Sequence, residues 1–223
     1  MLKIITEYGG MLLAAMGQTL LLALMGLFFA CIVGLIFGLM SVLRNRACNI
    51  IAQIFVDAVR GVPMIVLAFF VYFGVPYFFK NILGGVNVTL SALTAGTICL
   101  ALNCGAYMAE IIRAGIQSVD VGQMEAARSL GLSYATSMRR VVLPQAIRTM
   151  IPSIINQFII TLKDTSILSV IGFPELVNTA KNVQAITFMS FQTWAIVGVL
   201  YLIVITILSR TAKMLERRLN VGK

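Results

Sequence analysis

The amino-acid sequence predicts an all-α membrane protein with five transmembrane helices, forming a single domain over residues 1–223. Its residues are 60% hydrophobic and only 11% charged, and the mean hydropathy is +0.98. Soluble domains carry about a quarter charged residues, so this composition is typical of a protein embedded in lipid. Long stretches without a charge then locate the membrane spans, because crossing a bilayer core about 30 Å thick takes about 20 apolar helical residues.

The first predicted span covers residues 16–43 and ends at a short basic loop. An amphipathic stretch over residues 50–60 follows that loop. Within the stretch, Asp57 and Arg60 are three residues apart, so on a helix we expect them to pair with each other at the membrane surface.

The motif RGVP breaks the amphipathic stretch, and a second predicted span covers residues 62–79. The third predicted span, residues 88–112, places Asn103, Tyr107 and Glu110 on one helical face at i, i+4 and i+7. A polar face in lipid turns toward protein or toward a cavity. Hydrogen bonding between helices is one explanation of this face, and a contact between Asn103 and a substrate is the other.

The longest loop between predicted spans, residues 113–140, holds clear helix signals outside the membrane. Asp120 is a suitable N-cap for the helix-forming run QMEAARSL, and Gly131 ends that run. The run SYATSMRR predicts a second short helix before Pro144. Two short helices at an angle form a compact knob with too few apolar residues to be a domain, and we expect this knob to dock another protein.

The fourth span is ambiguous, because the charges around it leave no run long enough to cross. Between Arg148 and Lys163 lie 14 uncharged residues, which as a helix cover about 21 Å. In one arrangement the helix starts near Val141, Arg148 snorkels, and Lys163 marks the outer surface. In the other the helix starts near Met150, Lys163 and Asp164 lie at depth, and the segment SILSVIGF continues as a second, irregular membrane piece.

Further polar residues accompany Lys163 and Asp164 in either arrangement. Asn156 and Gln157 lie seven residues before them and continue a polar stripe along the helix, and Ser166 follows closely. An adjacent cation and anion that face a cavity suit a zwitterion, with Lys163 near its carboxylate and Asp164 near its ammonium group. Pairing of the two side chains with each other, or with other helices, is the alternative.

The fifth predicted span, residues 191–209, precedes a basic tail, and the basic residues as a whole predict the orientation. With the N-terminus outside and the C-terminus inside, the inner segments hold eleven Lys and Arg residues and the outer segments three. The positive-inside rule favours this N-out/C-in topology, which explains the net charge of +9 without a nucleic-acid partner. The sequence has no histidine, and its four cysteines lie mostly in or beside apolar segments, so a metal site and a disulfide framework are both disfavoured.

The long loop also carries a spaced motif made of Glu125-Ala126-Ala127, Gly131, Val141, Leu143 and Pro144. This motif resembles the EAA signature of bacterial ABC importer permeases, with valine at 141 where isoleucine is usual. The stretches RGVP, AYMAEIIRAGIQSVDVGQ and KDTSILSVIG also resemble the polar amino acid subfamily of these permeases. The resemblance extends from about Gly17 to the C-terminal tail and implies a type I ABC importer permease-like fold.

The resemblance implies that the chain is the transmembrane subunit of an ATP-driven amino acid importer in the bacterial cytoplasmic membrane. A coupling loop over about residues 113–144 would then dock the ATPase through Glu125, Ala126, Ala127, Gly131 and Pro144. The chain lacks a G-x-x-x-x-G-K-[ST] loop, so we expect it to be no enzyme and to bind no cofactor of its own. ATP and Mg would be bound by partner subunits.

The implied complex contains a second permease copy or a sister permease, two ATP-binding cassette subunits and an extracytoplasmic amino-acid-binding protein. Its implied mechanism is alternating access, in which ATP binding closes the ATPase dimer and opens the permeases outward. The expected substrate-binding residues are Lys163, Asp164, Asn103, Ser166 and Gln157. An ion-gradient-driven secondary transporter of a small zwitterion is the alternative function, although five spans without a visible repeat argue against it.

Overall fold

The computed structural model describes residues 1–43, 45–83, 85 and 87–219, with side chains described as far as Met214, and the regular structure of those residues is helical. The helices are α1 (Leu2–Met40), α2 (Arg46–Gly61), α3 (Met64–Asn81), α4 (Ala92–Gln117), α5 (Val121–Ser129), α6 (Tyr134–Ile171), α7 (Leu176–Thr187) and α8 (Ser190–Leu219). Five of them, α1, α3, α4, α6 and α8, are long and apolar enough to cross a membrane, as the sequence predicts.

The first helix begins at Leu2 rather than at residue 16, where the predicted span begins. Its 39 residues make it about 58 Å long, well beyond a bilayer core of about 30 Å. The predicted start was too late because Ile4 is fully buried in a cluster with residues of α7 and α8, and this packing extends the helix through its charged first turns.

Helices α1 and α4 pack closely because glycines lie where their backbones meet. A Cβ atom added to Gly26 of α1 would lie 2.6 Å from the Cβ of Leu100. From the other side, a Cβ atom added to Gly105 of α4 would lie 2.7 Å from Cγ1 of Val33. Small residues commonly permit such close approach between transmembrane helices, and the backbones of α1 and α4 depend on them here.

We expect Gly26→Leu to lower the thermal stability of the purified protein, because the new side chain would have to displace Leu100. Overpacking of this kind typically costs about 1–3 kcal/mol. Gly17→Leu on the same helix is the control, since in the part of the chain that the structure describes no atom lies within 4 Å of a Cβ atom built there. Unfolding temperatures measured in detergent check the prediction, and equal values for the two variants would contradict it.

The helix α6 runs without a break from the loop into the membrane, which corrects the prediction of a separate short helix before Pro144. An α-helical turn, Tyr134–Ser137, leads through a π-helical turn, Met138–Val142, into the α-helix Leu143–Asp164. The wider turn ends just before Pro144, which stands in the first turn of the long segment, where proline is tolerated. The knob therefore consists of α5 alone, joined by a short link to a transmembrane helix.

The far end of α6 combines features of both arrangements that the sequence left open. The helix starts well before Met150, but after Asp164 it tightens into a 3₁₀ segment, Thr165–Ile171. Leu168 in that segment packs in one cluster with Leu22 and with residues of α4, and Leu22 stands at the middle of α1. The residues after Asp164 therefore lie within the helix bundle, and α6 does not end at the charges.

The chain then turns into α7, whose first turn is held by a buried carboxylate. Glu175 is 0% exposed, and its carboxylate accepts a hydrogen bond from the backbone N–H of Asn178 at 2.6 Å. The Tyr201 hydroxyl donates to the same carboxylate at 3.4 Å, and the backbone N–H of Leu176 donates to Oγ1 of Thr19 at 3.1 Å. These bonds attach the start of α7 to both α1 and α8.

Candidate functional site

A polar cavity of about 510 Å³ lies where the break between α2 and α3 meets α4 and α6. The break exists because Val62 precedes a proline and takes an extended conformation, with φ of −102° and ψ of 130°. The cavity is lined by Arg60, Gly61, Val62, Pro63, Met64, Asn103, Tyr107, Gln157, Ile160, Asp164 and Ile167. Its volume is in the range of small-molecule binding sites.

Three of the five predicted substrate-binding residues line this cavity, namely Asn103, Gln157 and Asp164. Asn103 and Gln157 are buried, and Asp164 is partly buried. Lys163 is exposed and does not line the cavity, because successive residues on a helix point about 100° apart and Asp164 is the one turned inward. Ser166 does not line it either, and its hydroxyl donates a hydrogen bond to the carbonyl oxygen of Lys163 at 2.7 Å.

Arg60 supplies a positive charge to the cavity, and the sequence had suggested a different role for it. Its Nη1 lies 4.0 Å from Oε2 of Glu110, and its Cζ lies 5.0 Å from the centre of the Tyr107 ring. The predicted partner was Asp57 on the same helix. The structure pairs Arg60 with α4 instead, because Arg60 stands in the last turn of α2, beside that helix. With Asp164, the cavity therefore has one cation and one anion in its lining.

Glu110 connects this region to a second cavity. Its carboxylate accepts hydrogen bonds from Nε of Arg113 at 3.0 Å and from Nη2 of the same residue, and Arg113 also donates to Oε1 of Gln117 at 2.9 Å. The second cavity has a volume of about 260 Å³ and is lined by Ser41, Ala52, Gln53, Val56, Asp57, Arg60, Ala109, Glu110 and Arg113. Arg60 thus lines both cavities.

The helix α5 forms an exposed knob with a defined start and end, as the sequence predicts. Oδ1 of Asp120 accepts a hydrogen bond from the backbone N–H two residues later at 2.6 Å, which caps the helix. At the other end Gly131 has a φ of +84°, its N–H donates to the carbonyl of Arg128 at 3.0 Å, and the N–H of Leu132 donates to the carbonyl of Ala127 at 3.3 Å. These bonds form a Schellman motif, which requires the left-handed glycine.

The predicted ATPase-coupling residues differ in their exposure. Glu125 and Ala126 are exposed on α5, whereas Ala127 on the same helix is only 5% exposed. Pro144 is exposed on α6, away from α5 in sequence. Leu130, for which the sequence predicted no role, is 84% exposed at the end of the knob.

Comparison with known proteins gives the family. A family model described as "Binding-protein-dependent transport system inner membrane component" matches residues 26–221. The chain belongs to this family. The glutamine transport system permease protein GlnP of Escherichia coli (strain K12) is 35% identical over 204 residues, which cover 92% of this chain and 90% of the relative. The probable amino-acid ABC transporter permease protein PatM of Vibrio harveyi is 35% identical over 209 residues, which cover 94% of this chain and 92% of the relative.

Solved structures share the architecture of this permease. A crystal structure of an amino acid ABC transporter with histidines superposes with a TM-score of 0.87 at 36% identity, and the match covers 96% of both chains. The MetNI methionine ABC transporter in an inward-facing conformation superposes with a TM-score of 0.76 at 18% identity, covering 96% of this chain and 98% of that one. The second likeness concerns the fold alone.

The chain is therefore the transmembrane subunit of an ABC importer, a multi-pass protein of the bacterial inner membrane with the type I importer fold. This confirms the family, the fold class and the location that the sequence predicts. It gives no support to the alternative of an ion-gradient-driven secondary transporter. The N-out/C-in orientation stays a prediction from the distribution of positive charge.

Proposed function

We propose that this permease forms the translocation pathway of an ATP-driven importer of polar amino acids, and that the 510 Å³ cavity binds the amino acid. The observation that carries the proposal is the presence of opposite charges, Arg60 and Asp164, in the lining of one cavity together with two amide side chains. A zwitterion carries the two complementary charges. The relatives named as glutamine and amino-acid permeases support the same substrate class.

In the proposed complex, the ammonium group of the amino acid contacts Asp164 and its carboxylate contacts Arg60. A guanidinium group can bind a carboxylate through two parallel hydrogen bonds, which fixes the orientation of the substrate. The amides of Asn103 and Gln157 each offer a donor and an acceptor, so they suit a polar substrate side chain. The two other predicted residues lie outside the cavity and are not part of the proposed site.

We propose that the permease works with a second permease copy or a sister permease, two ATP-binding cassette subunits and an extracytoplasmic amino-acid-binding protein. ATP and Mg bind to the cassette subunits, and this chain takes no chemical part in hydrolysis. The knob α5 docks to a cassette subunit through Glu125, Ala126 and Leu130. Ala127 and Gly131 maintain the position and shape of the knob, since Ala127 is buried and Gly131 ends the helix.

The continuity of α6 supports alternating access as the mechanism. When ATP closes the cassette dimer, the knobs of the two permeases move, and α6 carries that motion from Tyr134 to Asp164, about 45 Å along one helix. The cavity wall thereby changes with the state of the ATPase. The substrate shifts this equilibrium only if it binds one state more tightly than the other, so the proposed contacts at Arg60 and Asp164 must differ between the two states.

Reconstitution with the cassette subunits and the binding protein into proteoliposomes tests the proposed function. ATP hydrolysis and uptake are measured side by side for each of the common amino acids. We expect one polar amino acid, or a few, to stimulate hydrolysis and to accumulate only when ATP is present. Accumulation driven by a proton or sodium gradient without cassette subunits would contradict the proposal, as would hydrolysis that no amino acid changes.

A further inference from the structure

We propose that Arg60 is a gate between the two cavities, that Glu110 is the positioning residue that holds it closed, and that the substrate carboxylate opens it, once the cassette dimer has opened, by taking the guanidinium group. The inference rests on the proposed function, since it requires a substrate with a carboxylate in the first cavity. It assigns to the RGVP motif and to the polar face of α4 a role in the passage of the substrate.

The position of Arg60, in the lining of two cavities, suits a gate between them. Its side chain is in the lining of both the 510 Å³ cavity and the 260 Å³ cavity. Along α4, Asn103 and Tyr107 line the first cavity, whereas Glu110 and Arg113 line the second, closer to the knob α5. A substrate that moves from the first cavity into the second therefore passes the Arg60 guanidinium.

Glu110 is bound more tightly to Arg113 than to Arg60. Glu110 is fixed on its own helix by hydrogen bonds from Arg113, one of them 3.0 Å long. Arg60 belongs to a different helix, and its contact with Glu110 is a single ion pair at 4.0 Å, supplemented by the face of the Tyr107 ring. The Arg60–Glu110 contact is longer than the contacts between Arg113 and Glu110. When these three side chains separate, we therefore expect the Arg60–Glu110 contact to break first.

A substrate carboxylate competes with Glu110 for the guanidinium group of Arg60. The side chains of Arg60 and Glu110 are 38% and 31% exposed, so water screens their attraction and the pair is weak. A substrate carboxylate that binds Arg60 through two hydrogen bonds is a stronger partner than Glu110 at 4.0 Å. The lining of the second cavity also includes Asp57 and Arg113, whose charges are opposite. When Arg60 leaves Glu110, the cavity therefore still contains the positive charge of Arg113 beside the two carboxylates.

The hinge for this movement is the chain break that follows Arg60. Gly61 is the last residue of α2, and among the described residues no atom lies within 4 Å of a Cβ atom built on it, so the backbone there has open space. Val62 and Pro63 then form the extended link to α3. Arg60 can thus change its direction without disturbing the packing of a long helix.

The test compares four variants and one control in proteoliposomes by two readouts. The first readout is the passive flux of radiolabelled amino acid through complexes trapped with ATP and vanadate, a state in which the knob-side gate must be closed. The second is the KM for ATP-driven uptake. We expect Glu110→Gln to raise the passive flux at least about fivefold with no rise in KM, because the gate loosens while the binding cavity is intact.

Two further variants, at Arg60 and Asp164, separate the gate from the binding site. Arg60→Gln is expected to raise both the passive flux and the KM, whereas Asp164→Asn is expected to raise the KM alone. Glu7→Gln, an exposed carboxylate-to-amide change on α1, is the matched control for the trapped state. Arg113→Gln removes the hydrogen bonds that position Glu110 but keeps its carboxylate, and it is also expected to raise the passive flux. If Glu110→Gln fails to assemble, the flux of Arg113→Gln tests the gate in its place.

Passive flux at the wild-type level in both Glu110→Gln and Arg113→Gln would overturn the gate while leaving the proposed function standing. A rise in KM for Glu110→Gln equal to that of Arg60→Gln would also overturn it, since Glu110 would then act on binding alone. A wild-type complex that transports no amino acid would instead overturn the proposed function.

Discussion

Gly131→Val is expected to reduce amino acid uptake about tenfold or more while ATP hydrolysis continues. The native φ of Gly131 is +84°, a conformation in which a β-branched side chain is strained by about 1–3 kcal/mol. The chain can relieve that strain only by giving up the Schellman motif at the end of α5, and each 1.4 kcal/mol corresponds to about a tenfold change in an equilibrium. A knob with an altered end would no longer transmit the movement of the ATPase to α6.

Uptake and hydrolysis are measured on the same reconstituted complexes, so that their ratio reports coupling. Gly85→Val is the matched control, because Gly85 has a comparable φ of +94° and no atom of the residues that the structure describes lies within 4 Å of a Cβ atom built there. Gly131→Asn should retain more uptake than Gly131→Val, since asparagine enters the left-handed region more readily. An unchanged ratio in Gly131→Val, in complexes that assemble normally, would show that the shape of the knob is not needed for coupling.

Asp164→Asn is expected to raise the KM for uptake by about 10- to 100-fold while the amount of assembled complex stays constant. A hydrogen bond to a charged group contributes about 1.5–3 kcal/mol, and the change removes the anion that is proposed to pair with the substrate ammonium group. Asparagine is close to the same size, so the packing of α6 is preserved. The carboxylate lies in the cavity lining, whereas the neighbouring Lys163 does not.

Lys163→Gln provides the comparison within the same helical turn. Because Lys163 is exposed and turned away from the cavity, we expect its KM to stay close to that of the wild type. The measurement is the concentration dependence of uptake for both variants, with complex formation followed by size-exclusion chromatography. Equal effects of the two substitutions would mean that Asp164 acts in folding or through a surface outside the cavity.

The features that the sequence predicted well depend on local or bilayer-imposed rules. A membrane helix needs a long apolar run, so charge-free stretches located four of the five candidate spans found among the described residues, and the span around Arg148 and Lys163 stayed ambiguous. Asp120 and Gly131 bound α5 through hydrogen bonds within a few residues, and those positions could be read directly from residue type. The polar face of α4 was likewise predicted from helical spacing, and Asn103 does reach a cavity.

The features that the sequence missed depend on contacts between distant elements. Arg60 pairs with Glu110, 50 positions later in the chain, and no rule of spacing favours that partner over the nearby Asp57. Adjacent charges at 163 and 164 could not show which of the two turns inward, since the rotation of α6 is set by its packing against α4. A charge placed directly before a proline break, as in RGVP, was the signal that could have drawn attention to Arg60.

The most direct measurement is a cryo-electron microscopy structure of the assembled importer, frozen with a saturating concentration of the amino acid that best stimulates its ATPase. The proposed function predicts ligand density inside the cavity, with the substrate carboxylate at Arg60 and its ammonium group at Asp164. Density at Lys163 or elsewhere on the surface, with this cavity empty in every state of the ATPase cycle, would contradict it.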